Sequence, residues 1–480
     1  MKKNVSLLFT LVISVAIPFV SCSSSGKMKS NKLNHEKSVE NIKRAVQLTE
    51  RAFDAHFVGE DMAMARFYNP YLETRSDEYG SIWMYTSAIE SVNAIMHALK
   101  ENKSREGKML NTQYFDKMED LLANLYAGAD FYLGTFSLTS YTQTKDWTIY
   151  GVNRGASKGN AKVDGIENVY DDQMWLIREL VESYKLTNNK QYLELAEYLA
   201  DYVLDGWDTT IDENGNERGG IPWGPGYVSK HSCSNGPLIS PLVWLHEIYS
   251  GSDDVVTYNY IDSADRISRK SKQMKKSDYY LMYAERVYEW QKKHLLRADG
   301  VYDDFMGGCT PRNPETELIN GVSYRKGITC PDIIGPAYSY NTGTMLSGAA
   351  DLYRATGNND YLADGIKLSD ASFSYFASLS ADVDGYHAFA VSGFNNWFNG
   401  VLMRGYVDMY PYYNGVSQYI DAFQKNLDYG YSNHLYKGVL PANLLKGWDE
   451  DNNKNNSEGM FSFTFGAEYA VLSAFELVKK

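Results

Sequence analysis

The sequence predicts an all-α chain in which six helical hairpins close into an (α/α)6 toroid, and three observations carry that prediction. First, Tyr184, Thr187, Asn189, Tyr192 and Leu193 recur with the same spacing at Tyr353, Thr356, Asn358, Tyr361 and Leu362, 169 residues later. Each copy reads as a helix ending, a tight polar turn and the next helix beginning. Second, a looser form of that helix start recurs at Tyr114-Phe115-Met118, Tyr280-Leu281-Ala284 and Tyr419-Ile420-Phe423, marking one helix of each hairpin. Third, the alternate helices are more apolar all round, as helices enclosed on every side must be. An open solenoid is the competing architecture. The interval between successive motif copies ranges from 58 to 88 residues, which is too irregular for a stacked array.

Taken in order, Met1-Lys2-Lys3 is a short basic region and Leu7 to Val20 an apolar run of signal-peptide length, too short to span a bilayer comfortably. Residues 1–21 are therefore expected to be an export signal. Phe19, Val20, Ser21 and Cys22 resemble a bacterial lipobox of the Bacteroides type. That resemblance implies lipidation of Cys22 and an exported lipoprotein of the outer membrane, on its periplasmic side or at the cell surface. Residues 22–36 are polar without an apolar period and read as a tether; they carry no acidic run that would decide the leaflet. Residues 37–480 form one domain. Its helices are expected near 37–57, 81–100, 111–133, 170–187, 190–206, 234–250, 277–296, 340–356, 359–378, 396–413, 415–429 and 460–478. In the closed arrangement the inner helices begin at Ser81, Asp171, Ser234, Asn341, Phe398 and Phe463, and their N-termini gather at one end. Long connections feed that end, as functional loops do.

The stretch Asn168 to Trp175 stands out because Asp171 and Asp172 sit side by side on the first turn of a helix whose apolar stripe is Met174, Ile177, Val181 and Tyr184. Trp175 follows Asp171 by four residues and Asp172 by three, placing an aromatic ring beneath both acids. Glycoside hydrolysis needs two carboxyl groups flanking one bond, and a separation of about 5 Å favours a covalent, configuration-retaining route. Adjacent residues can reach that distance. The competing reading is structural, with Asp171 as an N-cap and Asp172 favoured by the helix dipole.

Further along, Asn214-Gly215 is the signal of a type I′ hairpin turn. It leads into Gly219-Gly220-Ile221-Pro222-Trp223-Gly224, where a tryptophan held among glycines and prolines suits a sugar face better than a core. Tyr302-Asp303-Asp304 repeats the Tyr-Asp-Asp run, but its glycine-rich flanks read as a turn or short strand that at most lines the cleft.

Several function classes are excluded or weakened. A formal net charge of -13 argues against nucleic acid and other polyanions. Cys233, Cys309 and Cys330 lack metal-ligand spacing, and sequence leaves open whether Cys309 and Cys330 pair in an exported protein. The Gly155-Ala156-Ser157-Lys158-Gly159 run lacks the apolar strand that a serine-hydrolase elbow needs. Asp449, Asp451 and Asn453 imitate a calcium loop, yet Lys454 stands at its glycine position and Met460 at its glutamate position. The 39 tyrosines and 9 tryptophans serve either a core or sugar stacking.

An ordered set of motifs then resembles glycoside hydrolase family 76, the endo-α-1,6-mannanases. The set is Tyr170-Asp171-Asp172 with Trp175, Gly219-Gly220-Ile221-Pro222-Trp223, Ser234-Asn235-Gly236, Tyr340-Asn341-Thr342-Gly343 and Phe398-Asn399-Gly400-Val401 with Arg404. The resemblance implies the toroid, retention of configuration, Asp171 as nucleophile and Asp172 as acid/base. It further implies substrate binding by Trp175, Trp223, Asn235, Tyr340, Asn341, Trp397 and Arg404, with no cofactor and no metal. The expected partners are α-mannan polysaccharide or oligosaccharide and, through the N-terminal lipid, a membrane. Two departures bear on subsite preference: the family usually has Asn where this chain has His231, and commonly Lys where it has Asn399. The alternatives are another glycosidase activity on the same toroid and a non-catalytic glycan-binding lipoprotein.

Overall fold

The computed structural model describes residues 23–479, so the expected export signal and Cys22 lie outside the described residues. Twelve α-helices are present among them: α1 Ser23–His56, α2 Ile82–Glu101, α3 Arg105–Ala129, α4 Tyr170–Thr187, α5 Lys190–Asp205, α6 Gly236–Ile248, α7 Lys276–Leu295, α8 Ser339–Thr356, α9 Asn359–Phe376, α10 Asn395–Met409, α11 Ser417–His434 and α12 Gly459–Val478. The even-numbered helices form the inner ring, each packing on the next from α2 round to α12, and α12 closes the ring against α2. The odd-numbered helices lie outside, with α1 packed on α12 across the closure. This is the (α/α)6 toroid that the motif spacing predicts.

The repeated turn keeps the same capping hydrogen bonds in both copies. Asn188 and Gly357 end α4 and α8 in the left-handed conformation, at φ 59° and 69°, which satisfies helix C-terminal carbonyls. Asn189 and Asn358 then cap α5 and α9 by accepting from the backbone N–H groups of Gln191 and Asp360. Thr187 and Thr356 accept from the N–H groups of Asn189 and Asn358, both at 3.2 Å. One sequence pattern thus builds one hairpin twice.

The inner helices owe their position to composition. α12 is long and apolar enough to cross a membrane by length and composition, but 78% of that window is buried within the ring. α2, α4 and α8 likewise bury residues around their whole circumference.

Several boundaries differ from expectation, among them α10, which ends at Met409 rather than 413, and α11, which runs on to His434 rather than 429. α1 starts at Ser23 rather than 37, so the expected tether at 23–36 is continuous with the helix; no proline interrupts it. α3 starts at Arg105 because Ser104 caps it, accepting from Gly107 N–H at 3.0 Å. α6 is confined to Gly236–Ile248, with Pro237 opening its first turn and Pro241 inside it. The connections also hold short antiparallel ladders, including Leu133–Thr139 with Thr144–Tyr150 and Lys230–His231 with Phe305–Met306.

Candidate active site

The first turns of α2, α4, α8 and α10 meet at one end of the toroid around a cleft of about 1000 Å³. Its lining is largely aromatic: Trp83, Trp175, Trp223, Tyr338, Tyr340, Phe394, Trp397 and Phe398 surround the Asp171 carboxyl. An apolar cleft with a few convergent polar groups is the usual form of a small-ligand site.

Asp171 and Asp172 are the second and third residues of α4. Val169 occupies the N-cap without a side-chain hydrogen bond, so Asp171 is not the cap. Its Oδ1 instead accepts from the Asp172 backbone N–H at 3.0 Å. Asp171 faces the cleft, whereas Asp172 is 6% exposed. Burial pushes the Asp171 carboxyl up to about 6, opposed by the Cys233 thiol, the Asp172 N–H and the Trp223 indole. Burial drives Asp172 well above the carboxylate range, and the charge of Asp171 adds to the effect. Two adjacent carboxyls therefore hold one proton between them around neutral pH, with Asp172 the favoured carrier.

A third acid completes the cleft. Asp304 lines it and is pushed up to about 6 by burial, countered by hydrogen bonds from Tyr340 and Asn341. Tyr340 OH and Asn341 Nδ2 both donate to Asp304 Oδ1, the latter at 3.2 Å. Asp304 reaches the site because Phe305–Met306 pairs with Lys230–His231, and because Ser232 N–H donates to the Asp304 carbonyl at 2.7 Å. The sequence signal was its Tyr-Asp-Asp run, which on its own reads as a turn. Cys233, also in the cleft, has its thiol raised by burial and by the charges of Asp171 and Asp304.

The Trp223 ring stacks on His231 at 4.7 Å and 18° and leans on Tyr227 at 4.6 Å. His231 is held neutral, its pKa lowered by burial to about 4, and its Nε2 is shared between Ser229 Oγ and the Gly308 carbonyl. Beneath this loop lies a buried ion pair, Lys230 Nζ to Asp208 Oδ2 at 2.9 Å, and Asp208 also accepts from Ile328 N–H. Gly220 approaches Trp290 so closely that a Cβ would lie 2.3 Å from the ring, at φ +75°. The turn at Asn214-Gly215 is not type I′. Gly215 alone of the two has positive φ, and the Asp212 side chain organises the turn by accepting from the N–H groups of Asn214 and Asn216.

Of the residues expected to touch substrate, Trp175, Trp223, Tyr340 and Trp397 line the cleft beside Asp171. Asn341 stands behind it and holds Asp304. Asn235 is fully buried and joins two loop backbones: its Nδ2 donates to the carbonyls of Ile221 and His231, and its Oδ1 accepts from Ile221 N–H. Arg404 faces away from the cleft into a second cavity with Glu90, His97, Arg178 and Asp408. It lies two helical turns deeper than Trp397 on α10. Of the two departures, His231 is at the cleft, whereas Asn399 lies off it, bonded to Ser339 Oγ and the Ala390 carbonyl. All three described cysteines are free, so Cys309 and Cys330 are not paired. Among the described residues no His/Cys/Asp/Glu cluster suits a metal ion.

The glycosyl hydrolase family 76 model matches residues 160–267 and 267–383, the segments that carry the dyad, the Trp223 loop, Asp304 and Tyr340. A mannan endo-1,6-α-mannosidase of Candida albicans is 27% identical over 284 residues, covering 58% of this chain and 49% of that protein. The match thus spans about half the length of that relative. A second protein of that description, from Saccharomyces cerevisiae, is 26% identical over 36% of this chain and 29% of its own. Among solved structures, a family 76 mannosidase from Bacteroides thetaiotaomicron superposes with TM-score 0.65 at 19% identity, covering 92% of this chain and all of that one. An inactive variant of an α-1,6-mannanase from Salegentibacter, with two consecutive aspartates replaced by asparagine and α-1,6-mannotriose bound, superposes with TM-score 0.57 at 18% identity, covering 91% of this chain and 99% of that one. The toroid, the ordered motifs and the family match agree: over residues 160–383 the chain is similar to glycosyl hydrolase family 76.

Proposed function

We propose that this protein is a glycoside hydrolase that cuts internal α-1,6-mannosidic bonds of α-mannan with retention of configuration. The observation that carries the reading is the Asp171–Asp172 pair, in which the cleft-facing acid ionises more readily than its buried neighbour. The Salegentibacter relative, inactive once two consecutive aspartates are replaced, supports a catalytic role for such a pair.

In the first step an Asp171 carboxylate oxygen attacks the anomeric carbon as the bond to the departing sugar oxygen breaks, and Asp172 gives that oxygen its proton. A glycosyl ester on Asp171 results. Asp172, now ionised, takes a proton from water as that water attacks the same carbon, restoring the Asp171 carboxylate and the protonated Asp172. Asp304 accepts hydrogen bonds from Tyr340 and Asn341 and offers its remaining lone pairs to sugar hydroxyls. The aromatic walls supply ring faces for the apolar sides of the sugars.

The lipobox-like run ending at Cys22 supports an exported, lipid-anchored enzyme at the outer membrane. Incubation with unbranched α-1,6-mannan and with branched yeast mannan, followed by sizing of the products, tests the activity. Internal cleavage releases a ladder of oligosaccharides with the α-configuration at the new reducing end. Mannose as the sole early product, or no product from either polymer, would contradict the reading.

A further inference from the structure

Glu90 lies below the catalytic cleft, on the third turn of α2, and is not among the residues that line it. Its Oε2 nevertheless accepts the indole N–H of Trp397 from α10 at 3.3 Å. Its Oε1 is paired with Arg404 Nη1, seven residues further along the same α10. The carboxylate is therefore held from both ends, between the floor of the cleft and the second cavity. Trp397 is 3% exposed and meets two other rings edge-on, Trp175 of α4 at 4.6 Å and Trp83 of α2 at 5.2 Å. Three inner helices thus each contribute one tryptophan to the floor, and Trp175 ties that floor to the dyad helix.

Packing alone does not call for a charge in this place. A largely buried carboxylate carries a desolvation cost that a well-packed apolar side chain would avoid. What the carboxylate adds is direction: a hydrogen bond to an ionised acceptor is about twice as strong as a neutral one and fixes which way the indole points. We propose that Glu90 is a positioning residue that orients Trp397 as the floor of the sugar subsite next to the dyad, with Arg404 anchoring the carboxylate. Arg404 then acts on substrate through Glu90 and Trp397 rather than by touching it. The inference rests on the mannan-cleaving reading, because it takes the bound sugar to sit above Trp397.

The test uses full-length protein carrying Asp171→Asn and Asp172→Asn, so that α-1,6-mannotriose is bound and not consumed, with affinity measured by calorimetry. Glu90→Ala is expected to weaken binding about five- to tenfold, the size of one aromatic stacking interaction. Glu90→Gln keeps an acceptor oxygen but not the charge and is expected to fall between the parent and Glu90→Ala, within about threefold of the parent. Trp397→Phe deletes the same hydrogen bond from the other side, so Glu90→Ala added to it costs little more. Parental affinity in Glu90→Ala, or losses that multiply in the double variant, overturns the proposal. If Glu90→Ala does not fold, Trp397→Phe and Glu90→Gln decide it: full affinity in the former or a large loss in the latter overturns it. A second readout needs no sugar: the Trp397 indole N–H resonance should be protected from exchange in the parent and Glu90→Gln and unprotected in Glu90→Ala. Equal protection in all three overturns positioning even if mannotriose fails to bind, an outcome that would separately sink the mannan reading.

Discussion

The backbone N–H of Tyr170 donates to the carbonyl of Trp223 at 2.8 Å, so the helix that opens with the dyad is capped by the loop that carries one of the cleft's four tryptophans. The bond satisfies one of the free donors at the start of α4 and fixes the distance between a stacking ring and the acids. Trp223→Ala is therefore expected to weaken oligosaccharide binding by about 1 kcal/mol or more. The loop should survive, because the Trp223 main chain still bonds to Tyr170 and Ser229. Calorimetry with α-1,6-mannotriose beside a melting curve checks this. A large loss of stability with unchanged affinity would make Trp223 a loop anchor.

The dyad should cost the protein stability. Carboxyls raised by burial keep their protons in the folded chain when the unfolded chain, with acids near pKa 4, has lost them. Stability therefore falls as pH rises from about 4 to the folded value of about 6 for Asp171, and further for Asp172. Replacing both with Asn removes that fall. The double variant is expected to be more stable at pH 7 by about 2 kcal/mol, with the difference shrinking toward pH 4. Denaturant titrations at the two pH values measure it, and a double variant less stable at pH 7 would contradict the account.

Asp304 should be needed for turnover although it is not one of the pair. Asp304→Asn keeps the shape but weakens the acceptor that Tyr340 and Asn341 address. The loss of charge-assisted hydrogen bonds is expected to lower kcat/KM by about tenfold or more. Steady-state kinetics on linear mannan decide this, and near-normal kcat/KM would remove Asp304 from the site.

What the sequence revealed and what it concealed follow from how each feature is encoded. The hairpins were legible because Tyr184 to Leu193 and Tyr353 to Leu362 encode a local turn, with caps and left-handed residues at fixed offsets. The dyad was legible because its two acids are neighbours. Asp304 was only half legible: its Tyr-Asp-Asp run put it at most on the cleft wall, because the two-residue ladder between Lys230–His231 and Phe305–Met306 that brings it in from another connection is too short to show a periodicity. Arg404 was misplaced because Trp397 and Arg404 share a helix face, while depth along an inner helix decides which cavity a side chain enters. Asn235 begins an inner helix as expected, yet its amide is consumed by the backbones of Ile221 and His231.

Anchoring at Cys22 has its own test. Cys22→Ala should block lipidation and move the protein out of the membrane fraction or stall its processing. Fractionation of cells expressing each form reads this out, and unchanged membrane association would contradict a lipid anchor at that residue.

The central claim is that Asp171 attacks and Asp172 donates, and rescue kinetics on an α-1,6-mannobioside with a good leaving group test it most directly. Asp171→Asn is expected to abolish turnover even of this substrate, because no glycosyl ester can form. Asp172→Ala should retain some cleavage, since the leaving group needs little proton assistance, and added azide should raise the rate by replacing the base-assisted water. The reverse pattern would exchange the two roles, and near-normal hydrolysis of natural mannan by either variant would contradict the dyad as the catalytic centre.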